Sequence, residues 1–403
     1  MKNQSVDKRK PGTFSKYSGE TFIIFLNFFI FFLLFHTFSY SGGLLSLDLH
    51  AHHYSDFGVA LTVTLYSAGY ILANLVLSKH FNDFTGKYVF FCLYSFLAVT
   101  MFAAPFCEAS FLVYPLRFLW GIFSGMLFTL LLIAVIQHAN PKRIAVVLAV
   151  VGVLAGLGAT SGAFLVKVTG ISGAMPYLLA GITLVIAFPL SFLFRIHKTK
   201  KEKHRTKDSL FAGILCLLTV PVLVILSISL GIGYSTSKFL TIYAEQFYHI
   251  IAKDAAVLLG VYSAGAVFIS IPIGWLGDRF GPSKVIVAVS FVFSVLGFSL
   301  YYFNVFSDLL YPIFFLIGGS INALHSLLLA FMTNVVGKHD IPKAVSGFNI
   351  LGKLGGIFGT LVLGALMTSY GAMSFLSILL ASGLIIFISI LFHLFWHHKK
   401  STA

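Results

Sequence analysis

The chain of 403 residues is 58% hydrophobic and only 10% charged, and it contains 44 phenylalanines. A soluble domain has about 25% charged residues, so this composition excludes a protein whose whole surface faces water. The net charge of +14 could suggest nucleic acid, but the basic residues fall in short clusters between apolar runs and form no long basic face, which argues against that partner.

Twelve apolar runs are long enough to cross a bilayer, because a spanning helix needs about 20 residues. We place them at residues 22–47, 57–78, 88–106, 110–136, 144–167, 172–194, 209–235, 255–276, 284–303, 309–336, 344–368 and 372–396. The first run is roughly twice as long as the apolar part of a signal peptide, so we interpret it as a membrane helix rather than a cleaved leader. The pattern predicts an all-α membrane protein with twelve transmembrane helices in the lipid bilayer.

Lysine and arginine residues accumulate in alternate connections between these runs. The positive-inside rule therefore predicts a cytoplasmic N-terminal tail, 1–20, and a cytoplasmic C-terminal tail, 397–403. The basic segment 195–208 divides the helices into two six-helix bundles, 21–194 and 209–396. We interpret it as a solvated cytoplasmic linker, with binding to anionic lipid as the alternative.

The two bundles share an internal repeat. Tyr66-Ser67-Ala68-Gly69 in the second run recurs as Tyr262-Ser263-Ala264-Gly265 in the eighth. Three further pairs follow in the same order: Asp83-Phe84-Thr85-Gly86-Lys87 with Asp278-Arg279-Phe280-Gly281, Tyr114-Pro115 and Gly121 with Tyr311-Pro312 and Gly318, and Pro141-Lys142 with Pro342-Lys343. Duplicated halves are typical of alternating-access transporters, whose solute site lies between the halves near mid-membrane.

The chain resembles the major facilitator superfamily in three of its motifs. The segment Gly274-Trp275-Leu276-Gly277-Asp278-Arg279-Phe280-Gly281 is similar to that family's signature loop, and residues 79–87 resemble a degenerate copy of it. Arg117-Phe118-Leu119-Trp120-Gly121 resembles the family's fourth-helix motif. The resemblance covers nearly the whole chain. It implies a secondary transporter without a cofactor, working as a monomer in the plasma (inner) membrane of a bacterium.

The two loops supply candidates for a gate that forms in one conformation and breaks in another. Gly281 permits a tight turn, and Asp278 can accept hydrogen bonds from the first amides of the following helix. Arg279 can pair with a carboxylate or a helix end. The predicted gating set is completed by Gly274, Asp83 and Gly86. A plain capped loop is the alternative interpretation.

Polar side chains inside apolar runs mark the candidate solute site, because such groups are costly in lipid. They are His36, Arg117, Asn322, His325, Asn349 and Lys353. No Asp or Glu falls in the middle of a run, which predicts a positive cavity that attracts anions and repels cations. We expect Arg117, Lys353 and His325 to converge on a carboxylate, and Lys238, near the outer end of helix seven, is a further candidate cation. Purely structural roles remain the alternative for each of these residues.

Two transport functions stay open at the level of sequence. The leading interpretation is a carrier for a small organic anion, such as a carboxylate or a polycarboxylate siderophore. The alternative is a proton-coupled exporter of drugs or amphipathic compounds, which the phenylalanine content favours and the missing intramembrane carboxylate opposes. A coupling proton would have to bind His36, His325, Glu245 or the solute itself. No enzyme motif appears.

Neither the cysteines nor the histidine-rich loop predicts a metal site. Cys92, Cys107 and Cys216 form no spaced set and are expected to pack in the helices. The first outer loop has side chains of the type that bind metals, but their spacing matches no closed site; they are Asp48, His50, His52, His53 and Asp56.

Overall fold

The computed structural model describes residues 14–31, 49, 54, 56–107, 110–169, 174–193, 196, 209–250, 252–303, 307–371 and 373–402. These residues form thirteen α-helices and no strand. The helices are α1 Phe14–Phe31, α2 Asp56–His80, α3 Lys87–Cys107, α4 Val113–His138, α5 Ile144–Thr169, α6 Met175–Leu190, α7 Ala212–Leu218, α8 Pro221–Tyr248, α9 Ala252–Phe280, α10 Pro282–Phe303, α11 Ser307–Val335, α12 Ile341–Tyr370 and α13 Ser374–Thr402.

The helices confirm an all-α membrane protein. Ten of them contain a segment long and apolar enough to cross a bilayer, and α6 contributes a shorter apolar stretch, Tyr177–Pro189. The first predicted span, 22–47, is described only as far as the end of α1 at Phe31. The remaining predicted spans each coincide with one of the helices, apart from the seventh.

The seventh predicted span, 209–235, is wrong as a single helix. The chain breaks between α7 and α8 at Thr219 and Val220, and Pro221 begins the new helix. Proline cannot continue a helix, because it lacks the amide hydrogen and its ring collides with the preceding turn, but it is well suited to a first helical position. Helix α8 then runs on to Tyr248, so Lys238 lies well inside a helix.

The predicted repeat appears as the same close helix crossing in both halves. Helix α2 packs on α4 in the first half, and α9 packs on α11 in the second. At each crossing, a Cβ on the glycine would collide with a carbonyl oxygen of the facing helix; the pairs are Gly69 with Phe118, Gly121 with Tyr66, Gly265 with Phe315, and Gly318 with Tyr262. The glycines therefore recur because both crossings need backbone to approach backbone.

The two halves meet mainly through α5 against α9 and α2 against α12. A Cβ at Gly156 would lie 2.7 Å from the Ser263 carbonyl oxygen, and one at Gly274 would lie 2.7 Å from the Ala149 Cβ. We call the end of the molecule that carries the connections 81–86, 139–143 and 336–340 the basic end. The contact of Gly274 with Ala149 lies toward this end, where the halves are closely packed.

Candidate functional site

A cavity lies between the two halves and is lined by α2, α4 and α5 from the first and by α8, α11 and α12 from the second. It has about 110 Å³ available to the centres of water-sized molecules. One water needs roughly 10–15 Å³ measured in this way, so the cavity has room for a small solute. Among the described residues that line it there are two lysines and a histidine but no Asp or Glu.

Lys353 reaches from α12 across to the first half. Its side chain is only 9% exposed. The Nζ atom lies 4.5 Å from the centroid of the Tyr70 ring and 5.3 Å from that of Tyr66, both on α2. An ammonium group over aromatic faces gains about 0.5–2 kcal/mol. Lys353 therefore both lines the cavity and contacts the facing half.

Lys238 is the second cation of the cavity wall. It extends from α8 and is 8% exposed. Its Nζ atom lies beside Gly356, where an added Cβ would be 4.0 Å away. Sequence reasoning placed Lys238 near the outer end of its helix and left it out of the primary site. The missing information was the extra length of α8, which the apolar pattern alone did not show.

His325 and Asn322 lie on α11, on the side of the cavity formed by the second half. The His325 ring has edge contacts with Tyr234 at 6.0 Å and with Phe348 at 5.6 Å between ring centroids. The Tyr234 hydroxyl donates to Asn322 Oδ1 at 3.1 Å, and Asn322 Nδ2 donates to the Gly318 carbonyl at 2.9 Å. Both predicted residues thus line the cavity, although the Asn322 amide is already engaged.

Arg117 contacts Tyr66, which lines the cavity, but does not line the cavity itself. It is only 1% exposed, and its guanidinium lies 5.1 Å from the ring centroids of both Tyr66 and Trp120. The Nε and Nη1 atoms have no hydrogen-bond partner among the described residues. Arg117 is not among the residues that line the cavity, and its convergence with Lys353 and His325 on one ligand stays a prediction. Arg117 contacts Tyr66, whose hydroxyl is hydrogen bonded to Ser124 Oγ at 2.8 Å.

Asn349 belongs to a hydrogen-bond chain that joins the two halves. Its Nδ2 atom donates to Thr129 Oγ1 at 2.8 Å, and Thr129 donates to Asn74 Oδ1 at 2.8 Å. Asn74 Nδ2 donates in turn to the Tyr70 carbonyl at 3.0 Å. All three linked side chains are buried. This chain lies one helical turn from Lys353, toward the basic end. Sequence reasoning missed Thr129, because a threonine in an apolar helix carries no distinctive pattern.

The sixth predicted site residue, His36, lies outside the described residues, as do Asp48, His50, His52 and His53 of the first outer loop. Glu245, a candidate proton carrier, lies in α8, and its side chain also falls outside the description. No group of histidine, cysteine or acidic residues suited to a metal ion occurs in the searched part of the chain.

Asp278 forms hydrogen bonds between the two halves at the basic end. The backbone amides of Ala145 and Val146 donate to its two carboxylate oxygens at 2.9 and 3.0 Å. These amides form the first turn of α5, in the other half, rather than of α10, which was the expected partner. An acidic group is favourable there, because the positive end of the helix dipole and its unpaired amides face it.

The other residues of the predicted gate differ in their contacts. Gly281 adopts a φ of 91°, which a side chain would disfavour. The Arg279 guanidinium lies 5.2 and 5.3 Å from the rings of Trp275 and Phe280, with no acidic partner within the described part of the chain. The expected pairing of Arg279 with a carboxylate is therefore absent from this conformation.

In the first-half copy of the gate, neither Asp83 nor Gly86 contacts the second half within the described part of the chain. Asp83 contacts His80 Nδ1 at 3.3 Å, and both side chains are exposed. A Cβ added at Gly86 would meet nothing within 4 Å. The two loops related by the repeat are therefore unequal in this conformation.

The chain is similar to known transporters in sequence. A family model described as Major Facilitator Superfamily matches residues 21–250 and 239–403. The "uncharacterized MFS-type transporter YfkF" of Bacillus subtilis (strain 168) is 22% identical over 271 residues, which are 66% of this chain and 68% of that protein.

Solved transporter structures superpose along almost the whole chain. The human organic anion transporter MFSD10 (TETRAN) gives a TM-score of 0.71 at 15% identity, covering 95% of this chain and 100% of that one. The transporter FucP in its outward conformation gives 0.72 at 16% identity, covering 93% and 99%. A variant of the nucleoside transporter NupG gives 0.69 at 15% identity, covering 92% and 98%. At these identities the similarity shows the fold alone.

Proposed function

This chain belongs to the major facilitator superfamily, a family of membrane transporters, and we propose that it carries a small organic anion through the cavity between its halves. The observation that supports this most directly is the charge of the cavity. Lys238 and Lys353 line it together with His325, and no carboxylate does so among the described residues. Such a wall attracts anions and repels organic cations.

Arg117 adds to the positive potential without contacting the solute in this conformation. The Arg117 guanidinium and the Lys353 Nζ atom lie 5.1 and 5.3 Å from the centroid of the same Tyr66 ring, so their charges are close to one another. The predicted binding set of Arg117, Lys353, His325, Asn322, Asn349 and His36 is therefore refined. Lys353 and Lys238 are proposed as the anion contacts, His325 and Asn322 as neutral polar contacts, and Asn349 as a link between halves. His36 keeps its predicted role.

The room in the cavity suffices for a small carboxylate. Its walls also present aromatic faces, from Tyr66, Tyr70, Phe128 and Phe348. Such faces suit the hydrocarbon part of an organic acid. They are also the feature that keeps an exporter of amphipathic compounds as the second candidate.

The contacts at the basic end suit alternating access. Asp278 and the chain from Asn349 to Asn74 join the halves on one side of the cavity. These contacts must break for the solute to leave on that side. By the positive-inside rule this side is cytoplasmic, as are both termini and the linker. A single chain holds the whole cavity, so we propose that the monomer is the working unit.

The test is uptake by purified protein reconstituted in liposomes. We expect uptake of small carboxylates, competition among them, and its loss in Lys353→Met. Lys284→Gln is the matched control, because Lys284 is exposed at the basic end. Transport of hydrophobic cations without any carboxylate transport would favour the exporter instead.

A further inference from the structure

Three of the glycines that line the cavity are not required by the packing of the described helices. They are Gly152 on α5 and Gly352 and Gly356 on α12. At Gly152 an added Cβ would lie 3.4 Å from its nearest described neighbours, the hydroxyl oxygens of Ser270 and Ser326. At Gly352 and Gly356 the nearest described atom would be 3.7 Å away. These are ordinary van der Waals distances, so alanine would fit among the described residues at each position.

Glycines that the packing does require have different surroundings. At Gly69 and Gly265 an added Cβ would collide with a carbonyl oxygen of the facing helix. Gly231 belongs with them although it lines the cavity, because its Cβ would collide with the Gly352 carbonyl oxygen where α8 packs on α12. The cavity wall therefore contains two kinds of glycine, one that a helix contact requires and one that no described contact requires.

A glycine inside a helix has a cost that alanine would avoid. Glycine loses more backbone entropy on folding and is the poorer helix former. Backbone geometry does not call for glycine at these three positions, because positive φ values among the described glycines occur at Gly281 and Gly371. What the three share is their place in the cavity wall, where a methyl group would take up room that a solute could use.

On the basis of the proposed anion transport, we propose that Gly152, Gly352 and Gly356 determine how bulky a solute the cavity accepts. Gly152 belongs to the first half and the other two to the second, so bare backbone faces the solute from both halves. The aromatic faces of Phe128 and Phe348 form further parts of the same wall. A slender solute such as acetate would not need this room. The solute class is therefore an organic anion with a branched or cyclic body.

The experiment measures how affinity depends on the bulk of the solute. The probes are acetate, propionate, isobutyrate, pivalate and benzoate, titrated calorimetrically into the purified full chain at constant pH. We expect wild type to bind bulky members of the series. In Gly152→Ala and Gly356→Ala, affinity for the bulkiest carboxylate that wild type binds should fall roughly ten- to hundredfold, the usual effect of a surplus methyl group in a close-packed site. Affinity for the smallest bound carboxylate should stay within about threefold, because it does not reach the added methyl group.

Two control variants separate the bulk of the solute from the packing of the protein. Gly364 also lies on α12 and has room, since the nearest described atom to an added Cβ is Phe239 Cζ at 4.0 Å, but it is not in the described lining of the cavity. Gly364→Ala should therefore keep the wild-type order of affinities. Gly231→Ala should melt at a lower temperature than wild type, because its methyl group collides with Gly352. The variants at positions with room should melt at or above the wild-type temperature.

The possible results separate the two proposals. An unchanged order of affinities in folded Gly152→Ala, Gly352→Ala and Gly356→Ala would overturn the role of the glycines and leave anion transport standing. Melting temperatures lowered as in Gly231→Ala would show a packing role and overturn it as well. If no carboxylate binds to wild type, anion transport is overturned, and the alcohols from ethanol to benzyl alcohol test the glycines. A loss of affinity for the bulky alcohols alone would then support the proposal, and unchanged affinities would overturn it.

Discussion

Replacing Asp278 by asparagine should loosen the closed basic end. The carboxylate accepts two backbone hydrogen bonds, at 2.9 and 3.0 Å, from the first turn of α5 in the other half. Asparagine has one acceptor oxygen instead of two, and it has no charge to place at the helix N-terminus. Because the donors and the acceptor belong to different halves, these bonds form only when the basic end is closed.

The size of the effect follows from the type of bond. Asp278 is half-buried, so its hydrogen bonds compete in part with water. Losing one of the two hydrogen bonds and the charge at the helix N-terminus costs about 1–2 kcal/mol, which changes the ratio of closed to open molecules by roughly five- to thirtyfold. Substrate contacts are untouched, so transport should slow more than binding weakens.

Distances between spin labels at Lys142 and Lys338 measure this ratio. Both residues are exposed at the basic end, one in each half, and the labels require a background in which the native cysteines are replaced. We expect wild type to populate the short distance, and Asp278→Asn to gain a long one. Asp254→Asn is the matched control, since Asp254 is exposed in the first turn of the same helix.

The contrast with the first-half copy sharpens this prediction. Asp83 contacts only His80 in the described structure, so Asp83→Asn should leave the distance distribution near that of wild type. If Asp278→Asn behaves in the same way as Asp83→Asn, the bonds to α5 do not hold the end closed, and the gating role assigned to Asp278 is refuted.

Three further predictions test the site and the topology. Arg117→Lys keeps the charge but loses the planar guanidinium beside Tyr66 and Trp120, so the free energy of unfolding should fall by about 0.5–2 kcal/mol, measured as a lower melting temperature. Solute affinity should weaken less than it does in Lys353→Met. The reverse order of affinities would show that Arg117 binds the solute directly. Thr129→Val removes the central member of the chain between the halves and should destabilise the closed basic end by about 1–3 kcal/mol, measured with the same spin labels; an unchanged distribution would contradict a linking role. A cysteine at Ser401 should resist an impermeant reagent applied to intact cells, whereas one at Phe111, exposed at the opposite end, should react; labelling at 401 would refute cytoplasmic termini.

The sequence predicted the fold well, because the determinants of the fold are local. Runs of apolar residues identify membrane helices one at a time, and the structure confirms the all-α class. The repeat was also readable, since Gly121 and Gly318 are required by the same backbone contact in each half. The resemblance to the major facilitator superfamily is confirmed by the family match along the chain. Among the described helices the break at Pro221 was the one error, and the proline itself signalled it.

Only the tertiary structure decided which residues line the cavity. Hydropathy fixes how deep a residue lies in a span, but it does not fix how a helix is rotated or which helix faces it. Arg117 and Lys353 lie in similar apolar surroundings in the sequence, yet one packs on Tyr66 and Trp120 while the other lines the cavity. Lys238 joins Lys353 only because α8 continues past its predicted end and α12 packs against it.

For Asp278, too, the sequence determined the type of contact, and the tertiary structure decided the partner. The sequence determined that Asp278 would serve as an acceptor at a helix N-terminus, because the charge and the turn at Gly281 are local properties. Which helix it caps was a choice between α10, next in the chain, and α5, more than a hundred residues away. The packing of the two halves made that choice, since contacts between distant segments depend on how whole helices dock rather than on the residues around each one.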